Sequence, residues 1–453
     1  MARLASTASH SLLYLTSPSS GKHVTRPVIL SSVPGADAER LDQLTAKTSE
    51  VIQRARAAAL EPGVEKILRK WTLTEACEIL GIEQHILLGR LEKKDIPAGT
   101  REGKHRLFTL KEIHEIQAKL GLQRHRDPAV NNPITLAVTN FKGGVGKTSA
   151  AIHLAQYMAL KGYRVLAVDL DAQASMTSLF GILADSEVPH DKTLQHWFLG
   201  PTMGREDWTG TLKTAIQHTY WDGLDLIAAN LALYGSEFAL SNRHYNEDGF
   251  RYYKALADGI KTVRSDYDVI IIDTPPSLSF MTVNAIYAAD ALLLPVPPAM
   301  MDFSSASHFF ALLRDVVGYI NTLEDKPKTF QYMGLLLSKY QESIGAHKEI
   351  STWVQSIFGE MVIRTPMVLT NVLQNIGIEL QTAYEVRNYA GDRRTFRRAL
   401  TALNAINEEI ESVIHSIWDI ERKTAEAVEA AKHDAVTSRN ATQQGAKRQA
   451  AAG

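Results

Sequence analysis

The amino-acid sequence predicts an α/β fold, a mostly parallel sheet with helices on both faces, preceded by a smaller and mainly helical unit. Several runs of apolar and β-branched residues, without alternation, are separated by segments of helical periodicity. Such runs are typical of strands buried on both faces, as in a parallel sheet covered by helices. A segment with proline near each end, 127–133, is a linker by composition. The 453 residues exceed one ordinary core, so we expect more than one folded unit.

Composition and charge narrow the class of protein. Apolar residues make up 45% of the chain and charged residues 22%, which is ordinary for a soluble globular protein. The formal charge of −1 argues against a uniformly basic nucleic-acid binder but leaves room for local basic patches. Cys77 is the only cysteine, which excludes an internal disulfide or a cysteine metal cluster within one chain. No secretory signal or membrane-spanning run is evident, so we expect a cytoplasmic protein that does not bind membranes.

The first residues divide into a leader and a helix. Residues 1–36 are rich in Ser, Thr, Pro and Gly without periodicity, which predicts a mobile leader. In the segment 37–63, Leu41, Leu44 and Val51 fall close to helical spacing, and a Glu-Pro-Gly triplet ends the pattern. This helix is either an ordinary surface helix or a dimer contact, and the residues leave both interpretations open.

Buried strands and intervening helices account for residues 134–431. The predicted strands are 134–140, 164–170, 225–230, 267–273, 291–296 and 332–338. We expect helices to begin near Thr148, Met176, Phe250, Thr282 and Asp302, and a last helix to run from about Thr395 to Ala431. The final residues, 432–453, contain few bulky apolar side chains, which predicts a disordered tail.

A glycine-rich loop follows the first of these strands. The loop 141–148 reads FKGGVGKT, with a strand pattern before it and a helical pattern after it. Glycines let backbone N–H groups converge on an anion, the helix N-terminus adds its positive dipole end, and Lys147 adds a full charge. Thr148 places a hydroxyl where Mg²⁺ binds. The predicted nucleotide-binding residues of this loop are Lys142, Gly143, Gly144, Val145, Gly146, Lys147, Thr148 and Ser149.

Two later strands end in acidic residues, at the sheet edge where α/β proteins bind ligands. The second predicted strand leads to Asp169 and Asp171, and the fourth ends in Asp273, which is placed to hold Mg²⁺ through water. Asp169 has a second interpretation, as a carboxylate that caps a helix N-terminus. The expected chemistry is metal-assisted transfer of a phosphoryl group to water, with Lys142 and Lys147 stabilising the developing charge.

These segments together resemble the deviant Walker A ATPases of the ParA/MinD family, over roughly residues 133–420. Phe141 stands where the common P-loop pattern has its first glycine, and the box 142–148 matches KGGxGKT. The segment DLDAQ matches the family's DxDPQ except that Ala172 replaces proline, and DTPP is matched in full. The resemblance implies that the sheet belongs to a P-loop NTPase domain.

The resemblance also implies roles for individual residues. Lys142 would reach the nucleotide held by a second subunit, which implies an ATP-sandwich homodimer. Asp171 would orient the attacking water, so the implied catalytic residues are Lys142, Lys147 and Asp171. The implied metal-binding residues are Thr148, Asp169 and Asp273. Relatives place adenine contacts at the end of the last strand, here Ser338 and Lys339, and the absence of an NKxD sequence favours ATP over GTP.

The unit 64–126 has the pattern of a winged helix-turn-helix. Thr74 can cap a short helix, Gly81 makes the turn, and a second helix follows with Ile86, Leu87 and Leu91 facing inward. A basic turn between two extended pieces, 101–108, then forms the wing. This unit, called the winged unit below, resembles the winged helix of MerR-like domains and of the larger partition ATPases.

The charge of the winged unit suits contact with DNA phosphates. Residues 66–126 contain 13 Lys and Arg against 8 Asp and Glu, a net charge of +5. The predicted DNA contacts are Gln84, His85, Arg90, Lys93, Lys94, Arg101, Lys104 and Arg106. The alternative is a small interaction domain that never touches DNA.

A second basic cluster, called the arginine cluster below, lies near the start of the last helix. Its residues are Arg387, Arg393, Arg394, Arg397 and Arg398. Arginines at a helix N-terminus oppose the helix dipole, so something should offset the repulsion. DNA phosphates are one answer, because partition relatives bind DNA nonspecifically in this part of the chain, and intramolecular pairing with acidic residues is the other.

Other branches of the family fit the sequence less well. Iron-cluster carriers need cysteine pairs, and Cys77 lies outside the ATPase region. Membrane-bound members end in an amphipathic helix, whereas this chain ends in AKRQAAAG. Partition is the branch that remains. For it the resemblance implies a nucleoid-associated ATPase that binds nucleoid DNA nonspecifically, binds operator DNA specifically and represses its own operon, with slow hydrolysis of ATP that a ParB-type centromere-binding protein stimulates. A nucleotide-switched transcriptional regulator and a cargo-positioning ATPase remain the alternatives.

Overall fold

The chain forms two compact units, Met1–Pro62 and Gly63–Gly453. The computed structural model describes residues 36–59, 66–122, 126–201, 208–378, 380–387 and 389–450. The predicted leader, apart from Ala36, therefore lies outside the described residues. No helix among the residues described here is long and apolar enough to span a bilayer.

One helix, α1 (Ala36–Ala59), represents the first unit. Its start agrees with the predicted segment to within one residue. Leu41, Leu44 and Val51 are all more than half exposed, at 62%, 52% and 66%. An exposed apolar stripe is compatible with both interpretations of this helix, which stay predictions.

The second unit begins with the winged unit. Its elements are β1 (Trp71–Thr72), α2 (Leu73–Leu80), α3 (Gln84–Lys93), β2 (Thr100–Glu102), β3 (His105–Phe108) and α4 (Leu110–Lys119). The three strands form an antiparallel sheet in the order β1-β3-β2. Gly81 ends α2 with a φ of 66°, a left-handed conformation that glycine adopts without strain, so the predicted turn is confirmed.

Two details of the winged unit differ from the prediction. The N-cap of α2 is Thr72, which exchanges hydrogen bonds with Glu75 in a capping box, and Thr74 lies inside the helix. Both threonines precede the apolar stripe, but only Thr72 has a glutamate three residues later. Ile86 is 42% exposed whereas Leu87 is buried, because neighbouring positions on a helix point about 100° apart.

The remaining elements form the ATPase-like domain. They are β4 (Ile134–Val138), α5 (Lys147–Leu160), β5 (Val165–Asp169), α6 (Ser175–Leu179), α7 (Ala184–Glu187), α8 (Leu194–Leu199), β6 (Ile216–His218), β7 (Leu224–Ile227), α9 (Tyr234–Asn246), α10 (Ala255–Lys261), β8 (Val269–Asp273), α11 (Phe280–Ala288), β9 (Ala291–Val296), α12 (Met300–Leu323), β10 (Tyr332–Leu337), α13 (Gly345–Phe358), α14 (Asn371–Ile378) and α15 (Arg393–Ala450).

The strands form a 7-stranded sheet in the order β10-β9-β4-β8-β5-β7-β6. All neighbours run parallel except β6, which pairs antiparallel with β7. The predicted fold class, a mostly parallel sheet with helices, is confirmed. The sequence does not reveal β6, because its three residues form no apolar run.

Helices cover both faces of the sheet. Leu154 of α5 and Ile410 of α15 belong to the hydrophobic cluster on one face. Leu256 of α10, Ile286 of α11 and Phe309 of α12 belong to the cluster on the other face. These helices leave open the edge of the sheet where the parallel strands end. The glycine loop, which follows β4, lies at this edge.

The last helix is longer than predicted. It begins at Arg393 and continues to Ala450, so the expectation of a disordered tail from residue 432 is wrong over 432–450. The absence of bulky apolar residues suggested disorder, but Ala, Gln, Lys and Arg dominate this stretch and all of them favour helix.

The winged unit and the ATPase-like domain pack together within one compact unit. Arg126 is buried and donates to Asp268 at 2.7 Å. Within the segment 127–133, which composition predicts to be a linker, Asn131 is buried and donates to the carbonyl of Trp418 at 2.8 Å. The apolar residues of the winged unit join the cluster formed by α5 and α15. This linker is therefore packed against the domain that follows it.

Candidate phosphate-binding site

The glycine loop connects β4 to α5 at the open edge of the sheet. Gly144 and Gly146 have φ values of 69° and 94°, which a side chain would strain. A Cβ at Gly146 would also approach the Cε of Met367 to 2.7 Å. Gly146 is the N-cap residue of α5, so the loop delivers its N–H groups and the helix N-terminus to one place. This geometry is compatible with the anion site that the sequence predicts, which stays a prediction.

Lys147 lies at the first position of α5 and is buried. Its Nζ donates to the carbonyl oxygen of Lys142 at 3.1 Å, so the lysine bridges the loop. Burial lowers the pKa of Lys147, and the carboxylates of Asp273 and Asp171 oppose this shift. A buried ammonium with few partners is well placed to bind a phosphate oxygen.

Two buried aspartates end neighbouring strands beside this loop. In the sheet register, Asp169 of β5 lies opposite Asp273 of β8, and both are fully buried. Burial raises the pKa of Asp273 well above its ordinary value and the charge of Asp169 raises it further, while the hydroxyl of Thr148 and the charge of Lys147 oppose the shift. Neither carboxylate oxygen of Asp273 has a hydrogen bond of normal geometry to any described residue. An unpartnered buried carboxylate facing a second one is costly unless a cation joins it.

Asp169 has partners of its own. One carboxylate oxygen accepts hydrogen bonds from the backbone N–H and the hydroxyl of Thr177, at 2.9 and 2.8 Å, and the other accepts from the N–H of Asp171 at 3.2 Å. Thr177 is the third residue of α6, so Asp169 binds the N-terminal turn of that helix. The structure thus places Asp169 where its second interpretation expects it, behind Asp273.

These residues fit a hard divalent cation. Thr148 lies at the second position of α5, and Asp273 supplies two unpartnered oxygens, which are the ligand types that Mg²⁺ prefers. No cluster of three or more His, Cys, Asp or Glu among the described residues could hold a metal by itself. A nucleotide site needs none, because phosphates and water complete the shell of the ion.

A cavity of about 590 Å³ opens in front of the loop. Lys147, Thr148, Ser149 and Asp171 line it on the P-loop side. The opposite wall comes from a distant stretch of the chain. That wall contains Leu373, Gly377, Leu380, Gln381 and Thr382. Sequence reasoning missed these residues, and no motif marks them.

The predicted adenine contacts lie behind the loop. Ser338 is fully buried, its backbone N–H donates to the carbonyl of Val296, and its Cβ lies 3.9 Å from the position of a Cβ on Gly146. Lys339 has a φ of 52°, and its Nζ lies 3.8 Å from the corresponding position on Gly144. Ser338 therefore lies against Gly146 of the loop, and Lys339 lies beside Gly144.

Lys142 projects from the exposed part of the loop. Its ammonium forms an ion pair with Asp302, in the first turn of α12, and its side chain remains 41% exposed. The backbone N–H of Lys142 donates to Asn140 at 3.0 Å, so the main chain is held independently of the side chain. Asp302 is a partner that the sequence does not identify.

The winged unit exposes most of the predicted DNA contacts. Lys93, Lys94, Arg101 and Lys104 are exposed, and Arg106 is half-buried. Three others have local partners: Gln84 donates to Thr74, His85 pairs with Glu83, and Arg90 pairs with Asp95. In the hairpin of the wing, Arg101 lies directly opposite Arg106. Like charges in this position repel each other, and an anion would relieve the repulsion.

The arginine cluster borders a groove of about 1110 Å³. Its four arginines on α15 all line this groove and are exposed: Arg393, Arg394, Arg397 and Arg398. Asp392 accepts from the N–H of Arg394, so a carboxylate offsets part of the helix-terminal repulsion. Arg398 pairs with Glu342 at 3.1 Å and Arg387 with Glu102 at 3.8 Å, both on the surface. Acidic residues of the described part of the chain therefore offset only part of the positive charge of the arginine cluster.

Known proteins match both the domain and about four fifths of the chain. A family model described as an AAA domain matches residues 134–323. The putative replication protein A of Rhizobium rhizogenes is 34% identical over 383 residues, which are 82% of this chain and 93% of that protein. Protein SopA of Escherichia coli K12 is 32% identical over 376 residues, 79% of this chain and 92% of SopA. A solved structure of a partition protein shares the fold, with a TM-score of 0.58 and 17% identity over 84% of this chain and 99% of its own.

The matched regions include the residues that form the site. The AAA-domain match, 134–323, contains the glycine loop and the acidic ends of β5 and β8. The two named relatives exceed 30% identity and are covered over at least 92% of their length, so the likeness extends well beyond the residues that the family model matches. On these findings, the chain belongs to the ParA/MinD family of P-loop ATPases.

Proposed function

We propose that this chain is a partition ATPase of the larger class, which uses ATP binding and hydrolysis to segregate plasmid or chromosomal DNA. The observation that carries the proposal is the joining of two parts in one compact unit. One part is the lysine-bearing glycine loop with its buried aspartate pair, and the other is the winged unit with its basic edge. The likeness to the larger partition ATPases supports this combination.

The cavity supplies the groups that transfer of a phosphoryl group to water requires. The N–H groups of the loop and the N-terminus of α5 bind the phosphate oxygens, with the charge of Lys147 beside them. Asp171 orients the attacking water, and Lys142 crosses to the nucleotide of the second subunit. Neither Asp171 nor Lys142 is a strong base, so turnover is slow until a ParB-type partner completes the site.

Thr148 and Asp273 would hold Mg²⁺, with Asp169 fixing the strand end behind them. When bound, this ion neutralises charge on the phosphate oxygens during transfer. The unpartnered oxygens of Asp273 are the feature of the structure that supports this assignment.

Replacement of Lys142 by alanine should leave most nucleotide binding intact and abolish ATP-dependent dimerisation and hydrolysis. The substitution removes only the exposed ammonium, while the carbonyl that accepts from Lys147 and the N–H that donates to Asn140 remain. Fluorescent-nucleotide titration, sedimentation with ATP and Mg²⁺, and steady-state turnover measure the three properties.

Asp302→Asn is the matched control for Lys142, because it removes the partner that holds the ammonium within the same chain. We expect this variant to dimerise at lower protein concentration than the parent. An ATPase rate in Lys142→Ala equal to that of the parent would exclude the sandwich mechanism.

DNA binding should divide into two classes when it is measured with ATP, with ADP and without nucleotide. The arginine cluster should bind DNA of any sequence only with ATP, and the winged unit should bind operator DNA with either nucleotide. Both affinities should fall as salt increases, because phosphate contacts release counterions. Fluorescence anisotropy over a range of salt concentrations, with turnover measured in parallel, tests the expectation.

Two variants separate the surfaces. Arg393→Ala with Arg397→Ala should remove nonspecific binding, and Arg101→Ala with Lys104→Ala should remove operator binding. Turnover that neither DNA nor the ParB-type partner stimulates would favour a nucleotide-switched regulator. If the parent chain binds no DNA in any of the three nucleotide states, a cargo-positioning ATPase would be favoured.

A further inference from the structure

A lysine at the start of the winged unit, ahead of its first helix, is buried against the ATPase-like domain. The side chain of Lys66 is 8% exposed. Its Nζ donates to the carbonyls of Leu179 and Leu380, at 2.9 and 2.7 Å, and to the carboxylate of Glu385 at 2.6 Å. An ammonium has three N–H donors, so all of them are used. Burial lowers the pKa of Lys66 and Glu385 opposes the shift, so the ion pair offsets the cost of burying the charge.

The acceptors of Lys66 belong to the wall of the nucleotide cavity. Leu179, the last residue of α6, and Leu380 both line the cavity. Leu380 has a φ of 54°, which is unfavourable for a leucine and requires support from its surroundings. Lys66 provides such support by binding the carbonyl of this residue directly.

Glu385 extends the same support along the wall. Its carboxylate also accepts a hydrogen bond from the backbone N–H of Thr382, at 2.9 Å, and Thr382 lines the cavity as well. The hydroxyl of Thr382 donates to Gln156 of α5 at 2.6 Å. Tyr220 and Trp221 donate to the other carboxylate oxygen of Glu385. The wall opposite the glycine loop is thus held by one buried carboxylate.

The residues that follow Lys66 connect the same wall to the first helix of the winged unit. Arg69 donates to the carbonyl of Tyr384 at 2.9 Å and pairs with Glu75 at 2.7 Å. Glu75 is the capping-box residue of α2, where it binds Thr72. Unbroken polar contacts therefore connect the wall of the cavity with the first helix of the helix-turn-helix.

We propose that Lys66 and Glu385 are positioning residues for the nucleotide, and that through them the start of the winged unit, ahead of its first helix, completes the nucleotide cavity. The inference rests on the proposed function, since it requires that the cavity binds a nucleotide. It adds that a residue outside the P-loop domain sets nucleotide affinity. By thermodynamic reciprocity, an occupied cavity then also stabilises the contacts that hold α2.

Lys66→Met tests the inference, with Lys70→Met as the matched control. Lys70 lies four residues later and pairs with Glu102 at 3.4 Å, but both side chains are at least 35% exposed and the pair lies outside the cavity wall. Titration with a fluorescent ADP analogue and Mg²⁺ should give a Kd about 5-fold or more weaker in Lys66→Met and unchanged in Lys70→Met. Turnover at saturating ATP should stay near that of the parent, because Lys66 touches no reacting atom. Lys66→Arg, which keeps charge and donors, should recover most of the affinity.

Glu385→Gln keeps the shape of the side chain and provides a second variant if Lys66→Met does not fold. Hydrogen exchange supplies an independent readout, because ADP should increase protection of Leu73–Leu80 in the parent and not in the folded variant. Parent-like Kd values in both Lys66→Met and Glu385→Gln would overturn the inference while leaving the proposed function standing. Failure of the parent chain itself to bind the ADP analogue would instead refute the proposed function.

Discussion

Replacement of Lys147 by alanine should abolish nucleotide binding and, with it, every ATP-dependent property of the chain. Lys147 is the buried cation of the glycine loop, and its Nζ already bridges that loop through the carbonyl of Lys142. The substitution removes the charge that faces the phosphates and the contact that shapes the loop. We expect turnover to fall by about 100-fold or more, as for loss of a single buried group that stabilises developing negative charge.

The control for Lys147 is Lys161→Ala, at the opposite end of α5. The ammonium of Lys161 lies 5.5 Å from the ring of Tyr157, far along the helix from the cradle, so nucleotide binding should be unchanged. Calorimetric titration of both variants with ATP and Mg²⁺ makes the comparison. Parent-like affinity in Lys147→Ala would place the nucleotide elsewhere in the molecule and remove the basis of the proposed function.

The features that the sequence predicts well are those with a local signal. Each strand of the parallel sheet is buried on both faces, so its apolar run is unbroken, and β9 occupies the predicted 291–296. The signal for the glycine loop is also local. The positions that need positive φ angles, Gly144 and Gly146, are glycines within one short stretch of sequence. The short edge strand β6 carries no such pattern and is missed.

The parts of the site that sequence does not predict depend on contacts between distant residues. Asp302 pairs with Lys142 across 160 positions, and Lys66 meets Glu385 across 319. Nothing in the local sequence of Asp302 or Glu385 distinguishes these carboxylates from solvated ones. The far wall of the cavity, with Thr382, is likewise assembled only when α14 and the turn after it fold back on α5.

The aspartate pair lowers the folding stability of the empty protein at the same place where it favours binding of a cation. The register of β5 and β8 places Asp169 and Asp273 side by side, and the charge of Lys147 offsets only part of the resulting repulsion. Thr177 and the N–H of Asp171 satisfy Asp169, whereas Asp273 keeps two unpartnered oxygens. Such an arrangement costs free energy in the empty protein, and a bound cation would offset that cost.

Asp273→Asn should therefore separate function from stability. An amide of the same shape removes the repulsion from Asp169 and offers N–H donors to it, so the empty protein should melt at a temperature no lower than that of the parent. Mg²⁺-dependent turnover should fall by about 100-fold or more, because the carboxylate proposed to bind the ion is gone. Differential scanning calorimetry without nucleotide and ATPase assays over a range of Mg²⁺ concentrations measure the two effects. A lower melting temperature would show that the charge of Asp273 stabilises the fold, and undiminished turnover would show that the ion binds elsewhere, so either result contradicts the assignment of this carboxylate.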